Sequence, residues 1–514
     1  MKNKILLITI VTSLAIVAGC KKEILPGMEF TSYTYSSIDE DGGNWKTIYL
    51  TSPTQVVVNA PSDPTSPEYL AELSALKSTS ATLTEEQKEK LDYWSTNGVI
   101  RWNEITRELM AKYFLMPAPN ADGTYPWPNS AAPSAYPYYP FSSPPYASRA
   151  YAYLSAGSFD ALISCWNYKY QFNRNAPSTY DASITTNLPV STLPSYPSED
   201  AVIAGFSRTL LTFLFPLEAS YLTQLAKDQE DSRLYAGTNV TSDIVAGDSL
   251  GKKVANLFIT RAKGDGMKNT LGTQAVWDSI SNVWSNVGYT VWSSTEVPAR
   301  QMLAPKFGLV KPWTMTTTDV TTTHRLPPPP AVGSPEFQSA LDEVLDYSKN
   351  ATNEEKQIAF KWDDGPSTYT PPGHWNAIAC PYIHDASLNP LRSARVLAYT
   401  NMAMEDAGIC VWDNKFYYFC CRPSNANPEI KTLMGVPGFP AYPSGHSGFS
   451  AAGATVLGHF FPSDAAYFMD QANEAALSRL YGCIHFRFDC DQGINLGIGV
   501  GQVAVDLAVL DGGE

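Results

Sequence analysis

Eight residues in the C-terminal fifth of the chain carry groups that together could bind and transform an oxoanion. They fall into three blocks: Lys415 and Arg422; Ser444, Gly445 and His446; and Arg479, His485 and Asp489. Cations neutralise charge on oxygen, a hydroxyl and a backbone N–H donate hydrogen bonds to it, and imidazoles transfer protons or act as nucleophiles. This combination indicates one oxoanion site with acid–base chemistry.

The first two blocks predict how the site is held. Lys415 and Arg422 are seven residues apart, so on one helix they would point the same way two turns apart, with Pro423 ending the helix. Ser444 and Gly445 precede an apolar helical pattern that starts near residue 447, and helix N-termini bind anions. We therefore expect two converging cations and a helix N-terminus facing the same ligand.

The third block predicts a helix followed by a break. Arg479 shares a helix face with small residues that leave space for an inward guanidinium, namely Ala472, Ala475 and Ala476. His485 lies six residues further on, so a break at Gly482 is needed for both to converge. Asp489, one helical turn beyond His485, is expected to hold the imidazole N–H and fix its tautomer.

An altered copy of these blocks lies 246 positions earlier, since 395 − 149 = 246. The residues that recur at this spacing include Arg149, Asp160, Trp166, Lys169, Pro177, Ser198, Arg233, Tyr235, Asp243 and Gly247. The copies differ at the site, where Arg422, Gly445, His446 and His485 are matched by Ala176, Glu199, Asp200 and Asn239. Two carboxylates would repel an anion, so the first copy is expected to be inactive. Residues common to both copies, such as Asp406 and Trp412, can be explained by folding alone.

The elements that position the site are predicted to be helices. Apolar residues in each copy follow a helical period, and no convincing period-two run appears. The sequence thus predicts an all-α fold of two packed helical bundles from an internal duplication, the C-terminal one carrying the active site. The predicted domains are residues 21–265 and 275–514, and the Tyr/Pro-rich and Thr/Pro-rich segments at 116–146 and 314–330 are interpreted as loops.

The three blocks resemble the signature of the type 2 acid phosphatase (PAP2) and vanadium haloperoxidase superfamily, over most of residues 350–510. Segments 370–375, 439–443 and 485–489 are most similar to the haloperoxidase branch, and Phe439 resembles the aromatic residue seen in chloroperoxidases. The interval from His446 to Arg479 is much shorter than in fungal chloroperoxidases.

The resemblance implies specific roles. His485 would bind vanadium, as vanadate; His446 would contact the apical oxygen and move protons; and the vanadate oxygens would be held by Lys415, Arg422, Ser444, Gly445 and Arg479. Hydrogen peroxide and a halide would be the substrates. The same residues suit hydrolysis of phosphate monoesters through a phosphohistidine at His485, without a cofactor. A non-catalytic, surface-binding lipoprotein is a third hypothesis, of a different class.

The N-terminus resembles a lipoprotein signal peptide of residues 1–20. Lys2 and Lys4 precede an apolar run that ends in small residues before Cys20. Cleavage before Cys20 and lipidation of its thiol would make an exported protein of the bacterial cell envelope, anchored in the membrane by lipid. An ordinary secretory signal with a chance cysteine is the alternative.

The composition excludes some classes of protein and leaves several residues without a role. With 44% hydrophobic and 17% charged residues the chain is globular, and its net charge of −14 argues against a nucleic-acid partner. Seven cysteines remain after Cys20, an odd number without zinc-site spacing, and are interpreted as small buried hydrophobes. No role is assigned to His324, His374, His384 and His459.

Overall fold

The structure, a computed structural model, describes residues 30–114, 120–124 and 143–514. Cys20 and most of the Tyr/Pro-rich segment lie outside these residues. Within them there are 18 α-helices and no named strand, only an isolated bridge between Val291 and Cys420. The predicted all-α class is confirmed for the described part of the chain.

The first copy contains eight of the α-helices. They are α1 (Pro67–Ser80), α2 (Glu85–Trp94), α3 (Gly98–Tyr113), α4 (Pro144–Phe172), α5 (Pro177–Tyr180), α6 (Glu199–Leu214), α7 (Ala219–Ala236) and α8 (Thr241–Gly264). Between the copies lie α9 (Gln274–Trp284) and α10 (Thr317–Thr321). The second copy consists of α11 (Pro335–Asn350), α12 (Asn353–Lys361), α13 (Thr370–Asp385), α14 (Pro390–Tyr418), α15 (Pro423–Ala426), α16 (Gly445–Phe460), α17 (Ala465–Tyr481) and α18 (Arg487–Ala508).

The helix bounds repeat at the spacing found in the sequence. Helices α4 and α14 are both 29 residues long and start 246 positions apart, at Pro144 and Pro390. The later helices start at the same interval, as α6 and α16 do at Glu199 and Gly445. The cis peptides before Pro197 and Pro443 also correspond. The two copies therefore share the order and starting positions of their α-helices from α4 and α14 onward, with lengths that differ by at most two residues.

The copies pack against each other through α4 and α14. At this contact the Asn401 amide donates to the Ser155 hydroxyl at 3.0 Å, and these two residues occupy equivalent positions, 246 apart. A residue that touches its own counterpart lies on an approximate two-fold axis. Residues 32–514 form one compact unit, and the division into domains at 265–275 remains a prediction.

Asp160 on α4 and Asp406 on α14 are buried carboxylates at equivalent positions. Each accepts hydrogen bonds from a backbone segment that lies earlier in the chain than its helix. Asp160 accepts the N–H groups of Ile48, Tyr49 and Leu50 at 2.6 to 2.8 Å. Asp406 accepts those of Trp313 and Thr314 at 2.8 and 2.7 Å. Burial raises the pKa of each carboxyl to about 6, although the N–H donors oppose the shift. These contacts show a folding role for Asp406.

The remaining sequence features have simple outcomes. The Thr/Pro-rich segment is mostly loop, with α10 inside it. The seven cysteines after Cys20 are all buried and unpaired, in agreement with their interpretation as small hydrophobes. Among the described helices, none has the length and apolar character needed to cross a bilayer.

Candidate active site

The N-terminus of α16 forms one wall of the site. Ser444 caps the helix, and its hydroxyl accepts the Ser447 N–H at 3.3 Å. The helix begins at Gly445, two residues earlier than expected, so Gly445 and His446 lie in its first turn. The N–H groups of a first turn have no partner within the helix, so this end favours an anion as predicted.

Lys415 and Arg422 do converge, but they are not on one helix. Helix α14 ends at Tyr418, Phe419 adopts a left-handed conformation with φ of 49°, and Arg422 follows in the loop. The expectation that Pro423 ends the helix was wrong, because Pro423 instead begins α15. A left-handed residue reverses the chain at a helix end, which brings the loop back to Lys415.

Both cations are held by carbonyls of the segment before α16. The Lys415 ammonium donates to the carbonyls of Pro440, Ala441 and Pro443 at 2.9, 2.7 and 2.5 Å. The Arg422 guanidinium donates to Phe439 O through two nitrogens, Nη2 at 3.0 Å and Nε at 3.2 Å. Residues 439–443 therefore join both cations to the α16 N-terminus.

The chain does break between Arg479 and His485, but the left-handed residue at the break is Cys483 and not Gly482. Helix α17 ends at Tyr481, and Gly482 remains right-handed with φ of −72°. Cys483 takes the left-handed conformation, with φ of 60°. Arg479, in the last turn of α17, donates to Ser478 Oγ at 3.0 Å and to Trp362 O.

His485 is oriented from both sides of its ring. Its Nδ1 is 3.0 Å from Asp489 Oδ2, and the same oxygen accepts the Phe486 N–H at 2.9 Å. The other nitrogen, Nε2, is 2.9 Å from an Arg422 nitrogen. His485 precedes α18 and is not one helical turn from Asp489 as expected, but the predicted pairing of the two side chains is present.

The site carries positive charge that no carboxylate offsets directly. Lys415, Arg422 and Arg479 are at most 1% exposed, and within the described chain none forms an ion pair with a carboxylate. Burial lowers the pKa of both arginines to about 10. Burial, with Arg422 as a second cause, lowers the pKa of Lys415 well below its usual value. Three buried cations held mainly by neutral groups fit an oxoanion ligand.

The first copy provides an internal comparison. There the Lys169 ammonium is 2.7 Å from Glu199 and the Arg233 guanidinium is 3.2 Å from Asp200. These two carboxylates replace Gly445 and His446 of the second copy. Cations that already have carboxylate partners have less attraction for an added anion, which agrees with the expectation that this copy is inactive.

The histidines of the site are held in the neutral form. Burial, followed by Arg422 and Lys415, lowers the pKa of His485 well below its usual value. Burial and Arg479 do the same to the pKa of His446. Burial raises the pKa of Asp489 to about 7, opposed by the Phe486 N–H. A neutral His485 whose Nδ1–H faces Asp489 carries its lone pair on Nε2, where it accepts a hydrogen bond from Arg422 at 2.9 Å that a ligand would replace.

A cavity of about 270 Å³ opens onto these groups. Its polar end contains Gly445, His446, Arg479 and His485, while Lys415, Arg422 and Ser444 are not among the residues that line it. The lining also contains apolar side chains, which include Trp412, Met434, Val436, Phe439 and Phe449. The ring centroids of Phe439 and Trp412 are 4.9 Å apart.

Three residues of the cavity wall were missed from the sequence. Trp412 was assigned to folding alone, and Asp363 and Asp364 received no role, although all three line the cavity. The repeat contains a signal for the two aspartates. Trp94 of the first copy corresponds to Trp362 of the second, at a spacing of 362 − 94 = 268. At this spacing Ser95 and Thr96 of the first copy occupy the positions of Asp363 and Asp364. Carboxylates confined to the second copy mark them as candidates for function.

Comparison with known proteins assigns this region to a family. Residues 395–509 match the family model of the PAP2 superfamily. This part of the chain, about a fifth of its length, is therefore similar to the PAP2 superfamily. No curated protein sequence matches the chain.

Two solved structures share the fold at low identity. The first bacterial vanadium-dependent iodoperoxidase has a TM-score of 0.59 and 21% identity, over 80% of this chain and 95% of that one. An apo bacterial vanadium-dependent chloroperoxidase has a TM-score of 0.50 and 16% identity, over 71% and 94%. The likeness extends well beyond residues 395–509 and shows that the helical architecture is a known one.

Proposed function

We propose that the protein is a vanadium-dependent haloperoxidase, which oxidises a halide with hydrogen peroxide. The observation that carries the proposal is the group of three buried cations without carboxylate partners around a neutral, oriented His485. The structural likeness to the vanadium-dependent iodoperoxidase, over four-fifths of the chain, supports the peroxidase rather than the phosphatase branch.

The residues present fit vanadate. His485 Nε2 would bind vanadium, and the vanadate oxygens would be held by Lys415, Arg422, Ser444, Gly445 and Arg479. Asp489 keeps the Nδ1 proton of His485 in place, which leaves Nε2 as the ligand atom. Vanadate, when bound, activates peroxide for oxidation of the halide.

In this proposal the protein's own side chains transfer protons and line the cavity with apolar surface. His446 lines the cavity with an Nε2 that has no hydrogen-bond partner among the described residues, so it is available to exchange a proton with bound substrate. Phe439 and Trp412 cover the approach with apolar surface. An apolar wall favours a weakly hydrated halide over a strongly hydrated anion.

Hydrolysis of a phosphate monoester is the second candidate, favoured by the lone pair on a neutral His485. In this reaction His446 first takes up a proton; His485 Nε2 then attacks phosphorus, the P–O bond to the leaving group breaks, and the protonated His446 gives its proton to the leaving oxygen. Water then attacks the phosphohistidine with His446 as base, releasing phosphate. Lys415, Arg422 and Arg479 would neutralise the phosphoryl oxygens.

A non-catalytic lipoprotein is disfavoured by the contrast between the copies. The first copy has filled its site with Glu199 and Asp200, whereas the second has kept buried cations that are costly without a ligand. A protein without catalytic use of the second site would have no reason to retain this cost.

A direct comparison of the two reactions tests the proposal. Purified protein is loaded with vanadate, and halide oxidation is measured for iodide, bromide and chloride. Hydrolysis of a phosphate monoester is measured in parallel without vanadate. We expect vanadate-dependent halide oxidation and one vanadate per chain. Hydrolysis alone would favour the phosphatase, absence of both activities would refute the enzyme proposal, and two equivalent vanadate sites would refute the inactive first copy.

We also propose that the protein is anchored in the bacterial cell envelope by lipid on Cys20. The support is the signal-like sequence of residues 1–20. The variant Cys20→Ser should be released in soluble form or accumulate as an unprocessed precursor, with unchanged site chemistry. Membrane association and processing like those of the wild type would contradict the anchor.

A further inference from the structure

Asp364 lies between two histidines at the edge of the cavity. Its Oδ1 and Oδ2 are 3.1 and 3.3 Å from His374 Nδ1, and Oδ2 is 3.9 Å from His446 Nε2. The Asp364 side chain is 5% exposed, while that of His374 is 16% exposed. His446 and Asp364 line the cavity, and His374 does not. The three side chains thus connect the cavity with solvent.

The outer part of this connection is held in a defined geometry. The Trp362 ring stacks on His374 with centroids 4.1 Å apart and an interplanar angle of 19°. Trp362 in turn donates to Glu474 at 2.8 Å. Asp364 has a left-handed backbone with φ of 46°, a conformation that aspartate adopts more readily than most residues.

Asp364 and His374 are both specific to the second copy. Thr96 occupies the position of Asp364, at the spacing set by Trp94 and Trp362. Arg101 occupies the position of His374, because Trp102 corresponds to Trp375, and Arg101 pairs with Glu104 of its own helix. The copy that lacks the site histidines therefore also lacks this connection.

Either proposed reaction requires proton exchange at His446 in every turnover. Halide oxidation by hydrogen peroxide consumes one proton for each hypohalous acid formed. Apolar side chains line much of the cavity, so substrate bound there would displace the water that could deliver this proton. A path through side chains avoids the need for that water.

We propose that His374 and Asp364 form a proton path between solvent and His446, an inference that rests on the proposed function. A solvent proton binds at His374 Nε2, and the Nδ1 proton moves to Asp364. Asp364 then passes its proton to His446 Nε2 after a side-chain rotation closes the 3.9 Å gap. His374 returns to its first tautomer by exchange with solvent. One proton enters and one leaves, with no net change in the path.

Other charged groups surround the path without replacing it. The Arg479 guanidinium and the Asp363 carboxyl lie on the cavity side, and Glu474 lies near His374. Glu474 is engaged with Lys361 and Trp362, which leaves Asp364 as the carboxylate in contact with both histidines. His374, which the sequence interpretation left without a role, thus becomes a functional candidate.

The test uses His374→Gln, which can keep a hydrogen bond to Asp364 but cannot relay a proton. The matched control is His459→Gln, because His459 also contacts a carboxylate, Glu514 at 3.2 Å, with 22% side-chain exposure. His459 lies near the C-terminal end of α16, roughly 20 Å along the helix from His446. Turnover is measured with saturating substrate in weak buffer, then with added imidazole.

We expect His374→Gln to lower kcat at least tenfold with little change in KM or vanadate affinity, and imidazole to restore part of the rate. The control should match the wild type. A His374→Gln enzyme with wild-type kcat, or a loss that imidazole does not restore, would overturn the proton path. A wild-type protein inactive in both assays would instead refute the proposed function.

Discussion

Ser444 and Ser198 offer a matched pair of substitutions that separates binding from folding. Both are fully buried N-cap residues at equivalent positions, and their hydroxyls accept the N–H of Ser447 at 3.3 Å and of Ala201 at 3.5 Å. Replacement by alanine should cost each helix its cap, a loss of about 1 kcal/mol. Of the two, only Ser444 is proposed to donate to the oxoanion.

The size of both effects can be worked out. The unit from Ser32 to Glu514 has roughly 480 residues, so its unfolding entropy is about 1 kcal/mol per kelvin. Either variant should therefore lower Tm by about 1 °C. Ser444→Ala should also remove a hydrogen bond to a charged oxygen, worth about 1.5 to 3 kcal/mol, and so weaken vanadate binding by about 10- to 100-fold.

Thermal unfolding without ligand and vanadate titration at fixed ionic strength measure the two quantities. We expect equal Tm losses and a change of vanadate affinity in Ser444→Ala alone. If Ser198→Ala weakened vanadate binding as much as Ser444→Ala, the second copy could not be the only oxoanion site. Unchanged affinity in both variants would refute the role of the Ser444 hydroxyl.

Four further substitutions test the other roles. His485→Ala should abolish tight vanadate binding and reduce activity by several orders of magnitude, as equilibrium titration and rate assays would show. His446→Ala should keep much of the vanadate affinity but lower kcat by about 10² to 10⁴. Asp489→Asn should lose activity and, because Asp243 holds the same place in the inactive copy, some thermal stability as well. Glu405 is neutral in the folded state, because burial raises its pKa to about 8. The wild type therefore loses stability as pH rises from about 5 to about 8, and the Tm advantage of Glu405→Gln should grow over that interval; a pH-independent difference would contradict this.

The helical class and the location of the site were predictable, because both depend on regular patterns. A helical period over long segments specifies secondary structure, and three blocks of chemically matched residues specify which parts must meet. Short-range spacing predicted a helix start near residue 447, two residues after the observed start at Gly445, and the pairing of His485 with Asp489. Such contacts need no knowledge of how distant elements pack.

The errors came from backbone conformation and from variable spacing. Phe419 and Cys483 adopt left-handed conformations that glycine favours and that their residue types do not indicate. The end of α14 was therefore misread, and the chain reversal after α17 was assigned to Gly482 instead of Cys483. Asp364 was missed because upstream elements of the two copies are 268 positions apart instead of 246. A comparison of the two copies at a spacing of 268 would have shown that Asp364 is a charged residue present in the second copy alone.

The contact between Ser155 and Asn401 has a consequence for redundancy. A symmetric pair of separate subunits would carry two identical sites, so damage to one would leave half the activity. Here the two halves meet at equivalent positions within a single chain, and each can change independently of the other. The first half packs against the second along α4 and α14, and its equivalent cations are paired with Glu199 and Asp200. We therefore expect that a single substitution at His485 would remove all of the proposed activity.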